Sequence, residues 1–86
     1  MSKVTHDRDL RVWQHAVELA VAVYGATDTF PKSEQFGLVN QMRRASVSIP
    51  SNIAEGHRRS NREFARYLEI ARGSLAELET QVEIAI

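Results

Sequence analysis

Between Gln41 and Arg62 the chain reads QMRRASVSIPSNIAEGHRRSNR, and this stretch holds most of the side chains with which it could do chemistry. Arg43, Arg44, Arg58, Arg59 and Arg62 carry guanidinium forks that match phosphate oxygens, so one chemistry within reach is the holding of a nucleic-acid backbone. Ser46, Ser48 and Ser51, followed by Asn52, Glu55 and His57, supply the atom types of a nucleophile, an acid and a base. A hydrolytic triad also needs a base within hydrogen-bond reach of its hydroxyl and donors for an oxyanion, and this spacing indicates neither. The serines and Asn52 read instead as polar partners for a helix interrupted by Pro50. We assign no catalytic residue and expect no enzymatic activity.

Metal and cofactor chemistry find no better footing. His6, His15 and His57 are scattered, no His-x-x-x-His pair occurs and the chain has no cysteine, so no metal site is expected. Gly25, Gly37, Gly56 and Gly73 are isolated, without the spacing of a phosphate loop or a dinucleotide fingerprint, and no cofactor is expected.

The remaining candidate is electrostatic. The formal net charge is zero, which argues against a long-range polybasic arm. The distribution is lopsided, however. Arg43, Arg44, Arg58, Arg59, Arg62, Arg66 and Arg72 face only Glu55, Glu63 and Glu69 between residues 43 and 72, whereas residues 73–86 hold Glu77, Glu79 and Glu83 and no base. This polarity can steer a phosphate backbone onto the end where Arg58, Arg59 and Arg62 cluster. Arg43 and Arg44 lie roughly 18 Å further along a helix and extend the patch as a stripe. The competing reading is that Glu63 with Arg66, and Arg66 with Glu69, form ordinary surface pairs at i,i+3 and the charges only solvate a face. Trp13, Tyr24, Phe64 and Tyr67 fall on or beside apolar stripes and read as packing residues, so a nucleic-acid contact would be to phosphate and shape rather than to sequence.

The elements that must position these residues are three helices, and no strand is credible. Helix 1, about 10–27, is capped by Asp9 and repeats Trp13, Ala16, Val17, Ala20, Tyr24 and Thr27 at intervals of three and four; Val12, Leu19, Val21 and Val23 widen its apolar face. Pro31 ends it. Helix 2, about 34–55, is capped by Ser33, and Leu38, Met42, Ala45, Ile49 and Ile53 carry its stripe straight through Pro50. A proline there costs about 3 kcal/mol unless the helix bends, so a kink is expected, with Ser46 and Ser48 placed to re-satisfy freed backbone groups. Gly56 is expected to end helix 2 in the left-handed C′ conformation. Helix 3, about 60–86, opens with the capping box Ser60-Asn61-Arg62-Glu63 and runs through Phe64, Leu68, Ala71, Leu75, Leu78, Val82 and Ala85 in steps of four and three. At 1.5 Å per residue the helices measure roughly 27, 33 and 40 Å, so the apolar end of helix 3 needs cover from a further helix or another subunit. Gly37 and Gly73 inside helices indicate either close approach of another backbone or tolerance on an exposed face.

Residues 1–86 therefore form one helical domain that buries only about 60 to 65% of its unfolded surface. With no disulfide to staple it, self-association is the expected source of further stability. No stretch approaches the roughly 20 apolar residues of a membrane span and no signal-type segment opens the chain, which predicts a cytoplasmic protein with no membrane partner.

The blocks DLRVWQ, FPKSEQFGLVNQMRRASVSIPSNIAEG and SNREFARYLEIARGSLAELETQ resemble the bacterial four-helix bundle family associated with intervening sequences in 23S ribosomal RNA genes. That family includes the accessory variability determinant of diversity-generating retroelements, a homopentamer that engages a reverse transcriptase and nucleic acid. The resemblance implies an all-α antiparallel up-and-down bundle, ring-like oligomerisation with five copies the best single number, and no known catalytic activity. The family pattern has a fourth helix, which is absent here: the chain reaches Ile86 in its third. Two readings stand: a non-enzymatic oligomeric scaffold or adaptor whose basic end contacts RNA, DNA or an RNA-handling protein, and a purely protein–protein module.

Overall fold

Two breaks near Pro31 and Arg58 divide the chain, and the computed structural model, which describes residues 7–86, shows three helices between and around them. They are α1 (Asp7–Thr27), α2 (Leu38–His57) and α3 (Asn61–Ala85), with a short 3-10 turn at Lys32–Glu34. His6 lies outside the described residues. Among the described residues there is no strand, and no helix is long and apolar enough to cross a membrane.

Three helix boundaries differ from the sequence expectation. Asp9 is not the cap of α1; it lies within the helix, which is described from Asp7 onward. Ser33 is not the cap of α2. It sits inside the 3-10 turn that Pro31 initiates through the bond from Glu34 N to Pro31 O (2.9 Å), and α2 begins only after Gly37. Gly56 does not adopt a left-handed conformation: no described glycine has positive φ, and α2 runs one residue past it. The reason for glycine there is steric. A Cβ on Gly56 would lie 2.5 Å from Tyr67 Cβ and 3.1 Å from Phe64 Cδ1, so its missing side chain lets α3 cross against the last turn of α2. The helix closes instead through Arg58 N to Glu55 O (3.3 Å) and Arg59 N to Gly56 O (3.0 Å).

The cap of α3 forms as its residues predict, with Ser60 Oγ accepting from Glu63 N at 3.2 Å. Pro50 lies buried inside the unbroken helix α2. Nearby polar groups are satisfied internally: the fully buried Ser46 donates from Oγ to Arg43 O (2.9 Å), and Asn52 Nδ2 donates to Ser48 O (2.8 Å). Ser48 and Ser74 share a hydrogen bond of 2.8 Å across the α2–α3 seam.

Successive helices run antiparallel, as shown by α2 residues 43 and 57 meeting α1 at Thr27 and Asp9, and residues 48 and 56 meeting α3 at Ser74 and Tyr67. α2 is central. It packs on both α1 and α3, which make no direct packing contact with each other. Ala16 and Val23 of α1, Met42, Ala45, Ile49 and Ile53 of α2, and Ala71 and Leu78 of α3 form the core, with Leu19, Phe30, Leu38 and Ala85 against it. Of the seam expected on α3, Leu78 is buried and Phe64 half-buried, while Leu68, Leu75 and Val82 remain 37 to 39% exposed. Trp13 and Tyr24 of α1 are likewise partly exposed. The cause is the missing α1–α3 contact, which leaves the flank of each outer helix uncovered.

Candidate nucleic-acid interface

The end of α2, the turn at residues 58–60 and the start of α3 place four arginines close together, and their surroundings sort them into two kinds. Arg59 is held within the protein. It donates from Nε to Glu55 Oε2 at 3.1 Å and from Nη2 to the same oxygen, approaches Glu63 at 4.0 Å, and sets its guanidinium 5.3 Å over the Tyr67 ring. The hydrogen bond from Arg59, reinforced by its charge, pulls the Glu55 carboxyl below its ordinary value, and the same bond raises Arg59. Arg59 therefore fastens the turn.

Arg58 and Arg62 are exposed and make no ion pair among the described residues. Arg66 joins them. It is exposed one turn beyond Arg62, and the expected pairs with Glu63 and Glu69 do not form: Glu63 turns towards Arg59, and Glu69 accepts from Arg72 at 3.1 Å. The i,i+3 rule names eligible partners but cannot choose between competing ones. The i,i+4 spacing of Arg66 from Arg62 is the sequence signal that could have added it to the basic cluster.

Arg43 and Arg44 diverge, as adjacent helical residues must. Arg43 donates from Nε to Thr27 Oγ1 (2.9 Å) and from Nη2 to Tyr24 O (3.2 Å) and Asp28 Oδ1 (3.1 Å), with its guanidinium 4.5 Å over the Tyr24 ring. These contacts bind the end of α1 to α2. Arg44 is exposed and unpaired, beside a polar cleft lined by Gln41, Ser48, Ser74, Glu77 and Gln81.

The serines do not assemble a hydrolytic site. Ser46 and Ser48 bond to Arg43 O, Ser74 and Asn52, while His57 stacks edge-on against Phe64 (5.5 Å between centroids) and lies 3.8 Å from Asp9. Among the described residues no three His, Asp or Glu side chains are grouped to hold a metal ion. Phe36, which sequence reading passed over, is almost fully exposed on the α1–α2 connection. Nothing in its local spacing marks it, because exposure there depends on how the connection turns.

A profile of the family described as 23S rRNA-intervening sequence protein matches residues 8–86. No curated protein matches the chain.

Proposed function

Because this chain belongs to the 23S rRNA-intervening sequence protein family, we propose that it is a non-enzymatic, homo-oligomeric helical scaffold whose basic end holds RNA or DNA by its phosphates. One observation carries the nucleic-acid part: Arg58, Arg62 and Arg66 stand exposed without ion pairs among the described residues, while Glu55 and Glu63 approach Arg59 and Glu69 bonds to Arg72. Their neutralisation of phosphates releases counterions, so affinity falls with salt. The test is binding of structured RNA at two salt concentrations by the wild type and by an Arg58→Gln/Arg62→Gln variant. The variant should bind more weakly and with a flatter salt response; equal binding, or no salt-sensitive binding by the wild type, overturns the reading.

Uncovered apolar flanks support the oligomeric part. Leu10, Trp13, Val21 and Tyr24 recur on one side of α1, and Leu68, Leu75 and Val82 on one side of α3, all at least 37% exposed. A second copy or a fourth helix of the family bundle covers them in this proposal, with a cytoplasmic ring of five copies as the assembly and a bend of α2 at Pro50 shaping it. Light scattering tests the assembly, and a stable monomer at micromolar concentration would end it. The same flanks favour the alternative, a protein-only module docking on an RNA-handling protein, whose binding would hardly respond to salt.

A further inference from the structure

We propose that the polar cleft between α2 and α3 binds a small zwitterion of the α-amino acid class with a polar side chain, its carboxylate on Arg44 and its ammonium group on Glu77. This site is separate from the basic end, because Ser74 in the cleft lies roughly 18 Å along α3 from Arg62.

The cleft has a volume of about 480 Å³, within the roughly 300 to 1,000 Å³ of small-molecule sites. Arg44 and Gln41 of α2 and Glu77 and Gln81 of α3 line it, together with Ser48 and Ser74. The 2.8 Å hydrogen bond between the two serines fixes the register of the antiparallel helices there. Arg44 precedes Ser48 by four residues and Glu77 follows Ser74 by three, so both stand about 4.5 to 6 Å from that bond and towards the same end of the cleft. Gln41 and Gln81 each lie seven residues from it in the same direction, about 10.5 Å away. A layer of hydroxyls is thus followed by one of opposed charges and one of carboxamides.

The chain leaves both charges open. No residue three or four positions from Arg44 or from Glu77 in its own helix is oppositely charged, and among the described residues neither forms an ion pair with the other or elsewhere. A ligand of one sign would answer only one of them. A zwitterion answers both.

Gln81 Oε1 is shielded from solvent and accepts no hydrogen bond from any described residue. A shielded acceptor without a donor is costly, and an N–H of the ligand would satisfy it. Gln81 lies one turn beyond Glu77 on the same face, within reach of the same bound molecule. No aromatic ring lines the cleft, and its side chains are nearly all polar, which favours a carboxamide or hydroxyl side chain on the ligand over an apolar one.

The test is titration of the isotope-labelled full chain with L-glutamine, followed through its amide resonances, against N-acetyl-L-glutamine, which keeps only the carboxylate, and L-glutaminamide, which keeps only the ammonium group. L-glutamine should shift Ser74, Glu77 and Gln81, including the Gln81 side-chain amide. Each analogue should bind about 10- to 100-fold more weakly, the scale of one hydrogen bond to a charged group. Arg44→Gln should weaken L-glutamine by the same factor and leave L-glutaminamide unchanged, and Glu77→Gln should weaken L-glutamine and leave N-acetyl-L-glutamine unchanged. Both positions are exposed, so helicity should hold in each variant. Gln81→Met should weaken L-glutamine without lowering the melting temperature, since it removes a shielded acceptor that had no donor. No shift at about 10 mM L-glutamine, equal binding of either analogue, or shifts centred outside the cleft overturns the inference. A fall in solution mass for Arg44→Gln overturns it as well, by showing that another copy of the chain fills the cleft. None of these outcomes bears on phosphate binding at the basic end.

Discussion

Arg43 Nε sits 2.9 Å from the hydroxyl of Thr27, a buried residue that closes α1, although 16 positions separate the two in sequence. Thr27 in turn donates to Val23 O at 2.7 Å. The guanidinium thus ties the end of one helix to the flank of the next. Arg43→Gln should destabilise the fold by about 1.5 to 3 kcal/mol in urea denaturation, the scale of hydrogen bonds to a charged group, while leaving nucleic-acid affinity of the folded protein unchanged. Binding reduced as far as in Arg62→Gln would return Arg43 to the interface.

Gly56→Ala places a Cβ 2.5 Å from Tyr67 Cβ, a contact that neither backbone can leave without moving the helix pair. Overpacking of this kind costs about 1 to 3 kcal/mol. A melting temperature equal to the wild type would show that α2 and α3 are free to separate there.

Gly73 gives the opposite sign. No atom beyond its own helix lies within 4 Å of a Cβ added to it, so close backbone approach within the chain is not the reason for this glycine. Gly73→Ala should stabilise the protein by about 1 kcal/mol through helix propensity alone. If the variant is less stable and its mass in solution falls, Gly73 lies at a contact between copies.

The Glu55–Arg59 pair predicts a pH dependence. The folded Glu55 carboxyl is held below its ordinary value by the hydrogen bond and charge of Arg59, so the unfolded chain binds the proton more readily. Its contribution is present above the unfolded value of about 4.3 and is lost as pH falls through the lower folded value. The stability difference between wild type and Glu55→Gln should be constant at neutral pH and shrink on acidification below that point. A difference that grows there would reverse the assignment.

Pro50→Ala tests the proposed bend. Restoring a donor at position 50 should straighten α2, visible as a changed helix axis in a structure of the variant, without loss of RNA affinity. An axis identical in both forms would give Pro50 a packing role only, consistent with its burial.

The chain's amino acids determine the three helices directly, because those signals are local. The stripe from Leu38 to Ile53 carries α2 through Pro50, Ser60 caps α3 through Glu63 N, and Pro31 halts helical propagation, all by contacts within a few residues. The end where Arg58 and Arg62 gather is equally legible, since a turn between antiparallel helices must bring those positions together. What tertiary structure decides is the choice among competing partners. Glu63 has both Arg59 and Arg66 at eligible helical spacing and approaches the first; Arg43 finds Thr27 and Asp28 on another helix; Gly56 answers to Tyr67, not to its own φ. Each outcome depends on distances between elements, which helical periodicity does not contain. The exposure of Leu68, Leu75 and Val82 has the same origin: a stripe shows that a face is apolar, but only the placement of α1 away from α3 leaves that face uncovered.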